Sequence, residues 1–117
     1  MEALDDANDG QATKLDLVFV YDAGLLATLP TTSTAWFQNK NGWMLAAAGG
    51  AEVVSLELPP TTSISDVTLP ARHRRAIRVL AFAHYQADIA PLADALSRRT
   101  CARIVLAATA PHIEDCL

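Results

Sequence analysis

The sequence predicts a mainly β domain, an antiparallel two-sheet β-sandwich carrying a short helical insertion. Three observations predict it. Stretches rich in Leu, Val, Ile and aromatic residues recur at 15–21, 53–58, 76–85 and 101–107. Their spacing follows no clean strand–helix–strand repeat. An Ala-, Leu- and Trp-containing segment with helical spacing lies between the first two of them, at 22–50. A mixed α/β sheet is the alternative, built if helices follow the first strand and precede the last.

Each element has its own reason. Residues 15–21 (LDLVFVY) alternate Leu15, Leu17, Phe19 and Tyr21 with Asp16, Val18 and Val20. Both faces are apolar beyond Asp16, so the strand belongs inside a sheet. Residues 22–29 place Leu25, Leu26 and Leu29 at helical spacing, and Pro30 ends that short helix. Thr32 or Ser33 caps a helix over 34–40, with Asn41 and Gly42 as its stop. Residues 43–48 add a further helical turn, broken by Gly49 and Gly50. Residues 53–58 alternate Val54, Leu56 and Leu58 with Ser55 and Glu57, and Pro59 and Pro60 close the strand. Ile64, Val67 and Leu69 suggest an irregular strand ending at Pro70. Residues 76–85 give the longest strand signal and a central position. A helix is expected over 86–99, with Pro91 near its first turn. Residues 101–107 form a strand, and 110–116 a tail or a short edge strand.

The chain of 117 residues has the size of one domain. Residues 1–14 read as a flexible leader and 15–117 as a single domain. Hydrophobic residues make up 51% and charged residues 19%, which excludes a disordered chain. Net charge is −4 and the pI is about 5.1. Nucleic-acid binders draw affinity from neutralising phosphates, so no nucleic-acid partner is expected. No apolar run approaches the ~20 residues of a membrane helix, and the expectation is a soluble domain. The leader is acidic and polar, without the basic start and apolar middle of a signal peptide.

Reactive constellations are sparse. Gly49 and Gly50 lack a phosphate-loop lysine and read as a turn. His73, His84 and His112 show no zinc spacing, and no metal or cofactor is expected. Asp16 and Asp22 stand about 20 Å apart along an extended strand and read as solvated strand ends. Cys101 and Cys116 either form a disulfide closing a short loop or remain two unpaired thiols. A Cys101 pairing with His84 or His112 has nothing local to activate the thiol. Arg72, His73, Arg74, Arg75 and Arg78 form the one basic cluster. It is either a solvated loop with an internal ion pair, or a docking patch for an acidic partner or anionic headgroups. Trp36, Phe37 and Trp43 are the densest aromatic group, serving either the core or a partner. The rival to a binding module is a small α/β enzyme or ligand-binding domain with a pocket near His84, Tyr85 and Arg78.

The order of these features carries a resemblance. LDLVFVY opens the domain, followed by a leucine-bearing helical segment and the pair Trp36 and Phe37. A strand ending in a proline turn (53–62), a long strand with an aromatic end (76–85) and a last strand (103–107) complete it. Over roughly 15–113 this resembles the TssJ family, the outer-membrane lipoprotein of bacterial type VI secretion systems. The resemblance implies a transthyretin-like sandwich on the periplasmic side of the outer membrane. It implies a non-enzymatic protein that binds the periplasmic domain of the inner-membrane protein TssM through the loop between its first two strands. Here that loop is 22–50, with Leu25, Leu29, Trp36, Phe37 and Trp43 as contacts. The family's lipobox and lipidated cysteine are not in this sequence, so the implied anchoring is through an N-terminal lipid absent from it. Residues 88–100 also read as more helical than the family pattern.

Overall fold

Residues with apolar side chains on both faces become the middle of a sheet, because only there do both faces lose water. The chain, as a computed structural model describing residues 2–3, 7–64, 67–85, 89–92, 103–107 and 110–114, puts such a strand at its centre. It is β2 (Thr13–Val20), paired antiparallel on both sides. Its neighbours are β3 (Ala51–Leu58) and β4 (Arg78–Ala83), in the order β3-β2-β4.

A second small sheet contains β1 (Glu2–Ala3), β5 (Arg103–Leu106) and β6 (Pro111–Glu114), in the order β1-β5-β6. β5 and β6 run antiparallel, whereas β1 and β5 are parallel. That parallel pair departs from a wholly antiparallel arrangement. The protein is thus mainly β, with two small sheets and few helices.

The pleat of β2 feeds two cores. Leu15, Leu17 and Phe19 join Ala3, Leu58, Ala81, Ala83, Tyr85, Ile104 and Leu106 in one cluster. Val18 and Val20 join Trp36, Leu80 and Phe82 in the other. Each buried Leu, Val or Phe contributes about 1.5–3 kcal/mol. A one-residue slip of β2 would exchange the two sets.

The second cluster exists because α1 (Ser33–Ala47) lies over that face of β3-β2-β4. Thr32 caps α1, its hydroxyl accepting from the Ala35 amide at 3.3 Å. The helix does not stop at Asn41–Gly42. Gly42 lies on the exposed side, where an added Cβ would meet nothing within 4 Å, and Trp36 and Trp43 seat both halves on one surface. Packing outweighs the ~1 kcal/mol that glycine costs inside a helix. The stop comes at Ala48 and Gly49, both left-handed, with φ of 51° and 86°. Residues 23–28 form a 3-10 helix, Ala23–Thr28, rather than an α-turn.

Other expectations change as well. The first fourteen residues are not a free leader where they are described. Ala3 and Asn8 are buried, the Ala3 amide donates to the Thr62 carbonyl at 2.8 Å, and the Asn8 amide donates to Ala107 at 3.1 Å. Polar composition concealed this, because backbone hydrogen bonds at Ala3 and Asn8 leave no mark in it. Residues 64 and 67–70 form no strand. Ile64 and Val67 instead pack singly against the first cluster. Residues 89–92 are not helical: Leu92 exchanges two backbone hydrogen bonds with Ala81 at 2.8 and 3.0 Å, extending the β4 side of the sheet. Residues 86–88 and 93–99 lie outside the described residues. β6 realises the short edge strand.

Candidate partner-binding surface

The segment between β2 and β3 is a closed unit standing on the sheet. At its base the Tyr21 amide donates to the Gly50 carbonyl at 2.9 Å, and the Gly50 amide donates to Ala47 at 2.9 Å. A Cβ at Gly50 would lie 2.9 Å from Leu25 Cδ1 and 3.1 Å from the Ala47 carbonyl, so the two ends approach as only glycine permits. Asp22 caps the 3-10 helix by accepting from the Gly24 amide at 2.9 Å. Trp43 Nε1 donates to Thr28 Oγ1 at 3.0 Å, and Thr28 Oγ1 donates to the Leu25 carbonyl at 2.7 Å. The 3-10 helix and α1 are therefore tied side to side.

Beneath α1 lies a polar group that the sequence reading misplaced. Asp16 is no solvated strand end. It is buried on the helix-facing side of β2, where its carboxylate accepts from Trp36 Nε1 at 2.9 Å and pairs with Lys40 Nζ at 3.1 Å. Trp36 and Lys40 stand one helical turn apart, which puts both over one oxygen. The signal was legible as a lone carboxylate in an otherwise apolar strand. Asp22 is exposed, as read from the sequence.

The five residues expected to meet a partner separate accordingly. Trp36 is fully buried, stacked on Phe82 with centroids 4.8 Å apart and edge-on to Trp43 at 5.5 Å. It serves the core and is corrected from the contact set, because its ring fills the gap between helix and sheet. Leu25, Leu29, Phe37 and Trp43 are half-buried. Sequence reading missed Leu45, which is 84% exposed on the outer side of α1. Phe37 stacks on the exposed His84 ring at 4.8 Å, with Lys40 Nζ 5.5 Å from the Phe37 centroid.

The basic cluster is not a uniform patch. Arg72 is tied down while staying exposed: its guanidinium pairs with Glu52 at 2.9 Å, donates to the Gly49 carbonyl at 3.1 Å and lies 4.3 Å from the Tyr21 ring centroid. This is the internal ion pair that the sequence allowed. Tyr21 has its pKa raised, first by burial and then by the Glu52 carboxylate, with Arg72 opposing. The Tyr21 hydroxyl has no hydrogen bond of good geometry, so Glu52 acts on it through charge. His73 Nδ1 lies 2.9 Å from the Pro70 carbonyl. Arg74 and Arg75 are exposed on the 3-10 turn His73–Arg75, and Arg78 is half-buried at the start of β4.

Two of the three residues of the rival pocket meet. His84 and Tyr85 line an open depression of about 290 Å³ with Asn8, Gln11, Lys14 and Glu57. Arg78 is at the opposite end of β4, about 20 Å away along the strand. The Tyr85 hydroxyl is held by the Ala107 carbonyl at 2.8 Å. His112 pairs with Glu114 at 3.0 Å on β6. Among the described residues no three His, Cys, Asp or Glu side chains converge as metal ligands. Cys101 and Cys116 lie outside the described residues.

No family model, curated protein or solved structure matches the chain.

Proposed function

We propose that the chain is a non-enzymatic assembly component of the bacterial envelope, periplasmic and associated with the outer membrane, which binds a protein partner through the 22–50 insertion. In this reading the two sheets make a transthyretin-like sandwich. The chain acts as a TssJ-like lipoprotein docking on the periplasmic domain of TssM. The observation that carries it is the insertion itself. A rigid helical unit is clamped on the sheet between two adjacent antiparallel strands. It leaves Leu25, Leu29, Phe37 and Trp43 partly uncovered and Leu45 standing free of the core.

Such a surface suits protein docking. A standard interface takes about 800 Å² per partner. Its energy concentrates in a few aromatic and apolar anchors. Pre-organisation by Asp16, Trp43–Thr28 and the glycine-closed base reduces the ordering cost of binding.

The test is calorimetric titration of the purified chain with a purified TssM periplasmic domain. Trp43→Ala, Phe37→Ala and Leu45→Glu are expected to weaken binding about thirtyfold where the residue is an anchor. Unchanged affinity in all three folded variants, or no binding by the parent chain, overturns the reading. Thiol labelling of protein from the periplasm adds a second check, with Cys101 and Cys116 oxidised in that compartment.

A further inference from the structure

We infer that the loop between β3 and β4 carries a second docking surface, over residues 69–77, and that it meets anionic phospholipid headgroups. The inference is independent of the insertion. Among the described residues the large apolar side chains left exposed are Leu45, Leu69 and Ile77. Two of these three, Leu69 at 42% and Ile77 at 49% exposure, bracket the exposed Arg74 and Arg75 in one short loop.

The loop is built rather than slack. His73 donates its amide to Pro70 at 3.0 Å, Arg75 to Arg72 at 2.8 Å and Ala76 to His73 at 3.2 Å. Ile77 donates to the Val20 carbonyl at 2.8 Å, fastening the loop to the end of β2. Arg72 bolts the other side to Glu52, Gly49 and Tyr21. With Arg72 engaged by Glu52 and Gly49, Arg74 and Arg75 are presented to solvent on a fixed turn, against a chain whose net charge is −4.

Chemistry selects the occupant. Guanidinium groups bind phosphate oxygens in a bidentate fork. Apolar side chains beside them gain by entering the boundary between headgroup and acyl chain. An anionic lipid surface offers phosphate to the arginines and an apolar boundary to the Leu69 and Ile77 that flank them. Its strength is that of a reversible contact which adds to another anchor.

The test is sedimentation of the whole chain with vesicles of phosphatidylcholine alone, and of phosphatidylcholine mixed with phosphatidylglycerol. The expected result is binding to the mixed vesicles only, reduced by added salt. Replacing both arginines (Arg74→Gln, Arg75→Gln) is expected to lower partitioning about thirtyfold. Leu69→Asp and Ile77→Asp are each expected to lower it at least tenfold. Circular dichroism confirms that the variants are folded. Binding to neither vesicle, equal binding to both, or partitioning unmoved by the variants overturns the inference. Loss of protein-partner binding in the same variants, without vesicle binding by the parent, overturns it in favour of an acidic protein surface. The insertion variants Phe37→Ala and Leu45→Glu are expected to partition like the parent, which keeps the two surfaces distinguishable.

Discussion

The indole Nε1 of Trp36 donates to the buried carboxylate of Asp16 across 2.9 Å, joining α1 to the middle of the central strand. Lys40 reaches the same oxygen at 3.1 Å with its side chain one-third exposed. The two ions are therefore unequal, since Lys40 can turn into water and Asp16 cannot. Lys40→Met is expected to cost about 3 kcal/mol, because it strands a buried carboxylate. Asp16→Asn is expected to cost about 1 kcal/mol, because the amide oxygen still accepts from Trp36. Adding Asp16→Asn to Lys40→Met should recover most of the loss. Urea unfolding of the single and double variants measures it, and equal losses in the two singles would refute this account.

Two glycines in the insertion should respond oppositely to alanine. Gly50→Ala places a methyl 2.9 Å from Leu25 Cδ1 and 3.1 Å from a backbone carbonyl, and a loss of about 1–3 kcal/mol is expected. Adding Leu25→Ala relieves only the side-chain part. Gly42→Ala meets nothing within 4 Å and lies inside α1, so a gain of about 0.5–1 kcal/mol is expected. Thermal melts of the two variants give the signs directly.

The bond from Trp43 to Thr28 separates a hydrogen-bond effect from a packing effect. Thr28→Val removes the acceptor while keeping the shape, and the exposed setting limits the loss to about 1 kcal/mol. Trp43→Ala also removes the edge contact to Trp36 and is expected to cost about 3 kcal/mol or more. Hydrogen exchange should locate the first loss in the 3-10 helix and the second in α1.

Alkaline pH should weaken the fold through Tyr21. Its pKa is raised in the folded state, by burial and then by Glu52, so the folded chain holds the proton more firmly than the unfolded chain does. That stability is complete below the unfolded tyrosine value of about 10 and is lost as pH rises through the higher folded value. Tyr21→Phe cannot titrate and should flatten the decline. An unfolding free energy that falls equally steeply for parent and variant between pH 9 and 12 would count against it.

The two-faced apolar pattern at 15–21 was enough to place β2 inside a sheet, and the Val53–Leu58 alternation marked β3. The cap at Thr32 was local and readable, whereas Asp22, which caps the 3-10 helix, was read only as a solvated strand end. What escaped notice was non-local. Gly42 looked like a stop because local propensity cannot see the sheet that Trp36 and Trp43 share. Asp16 looked solvated because its partners are 20 and 24 residues away. Ala3 and Asn8 looked loose because backbone hydrogen bonds leave no mark in composition. Among the candidate contacts, sequence marked the aromatic cluster but could not sort Trp36 from Trp43. Both stand on one face of α1, so the choice depends on how far along the helix the sheet covers it. Leu45 gave no signal apart from its neighbours, since one leucine in a helix reads the same facing in or out.

The eight residues of β2 serve as the shared wall of both apolar clusters, so neither half of the molecule can melt by itself. Its amides should be the last to exchange with heavy water, and slack introduced at Val18 should be felt at Ile104 on the far side. Whatever grips α1 from outside would then quieten β5 as well, through a single strand that transmits order from one cluster to the other.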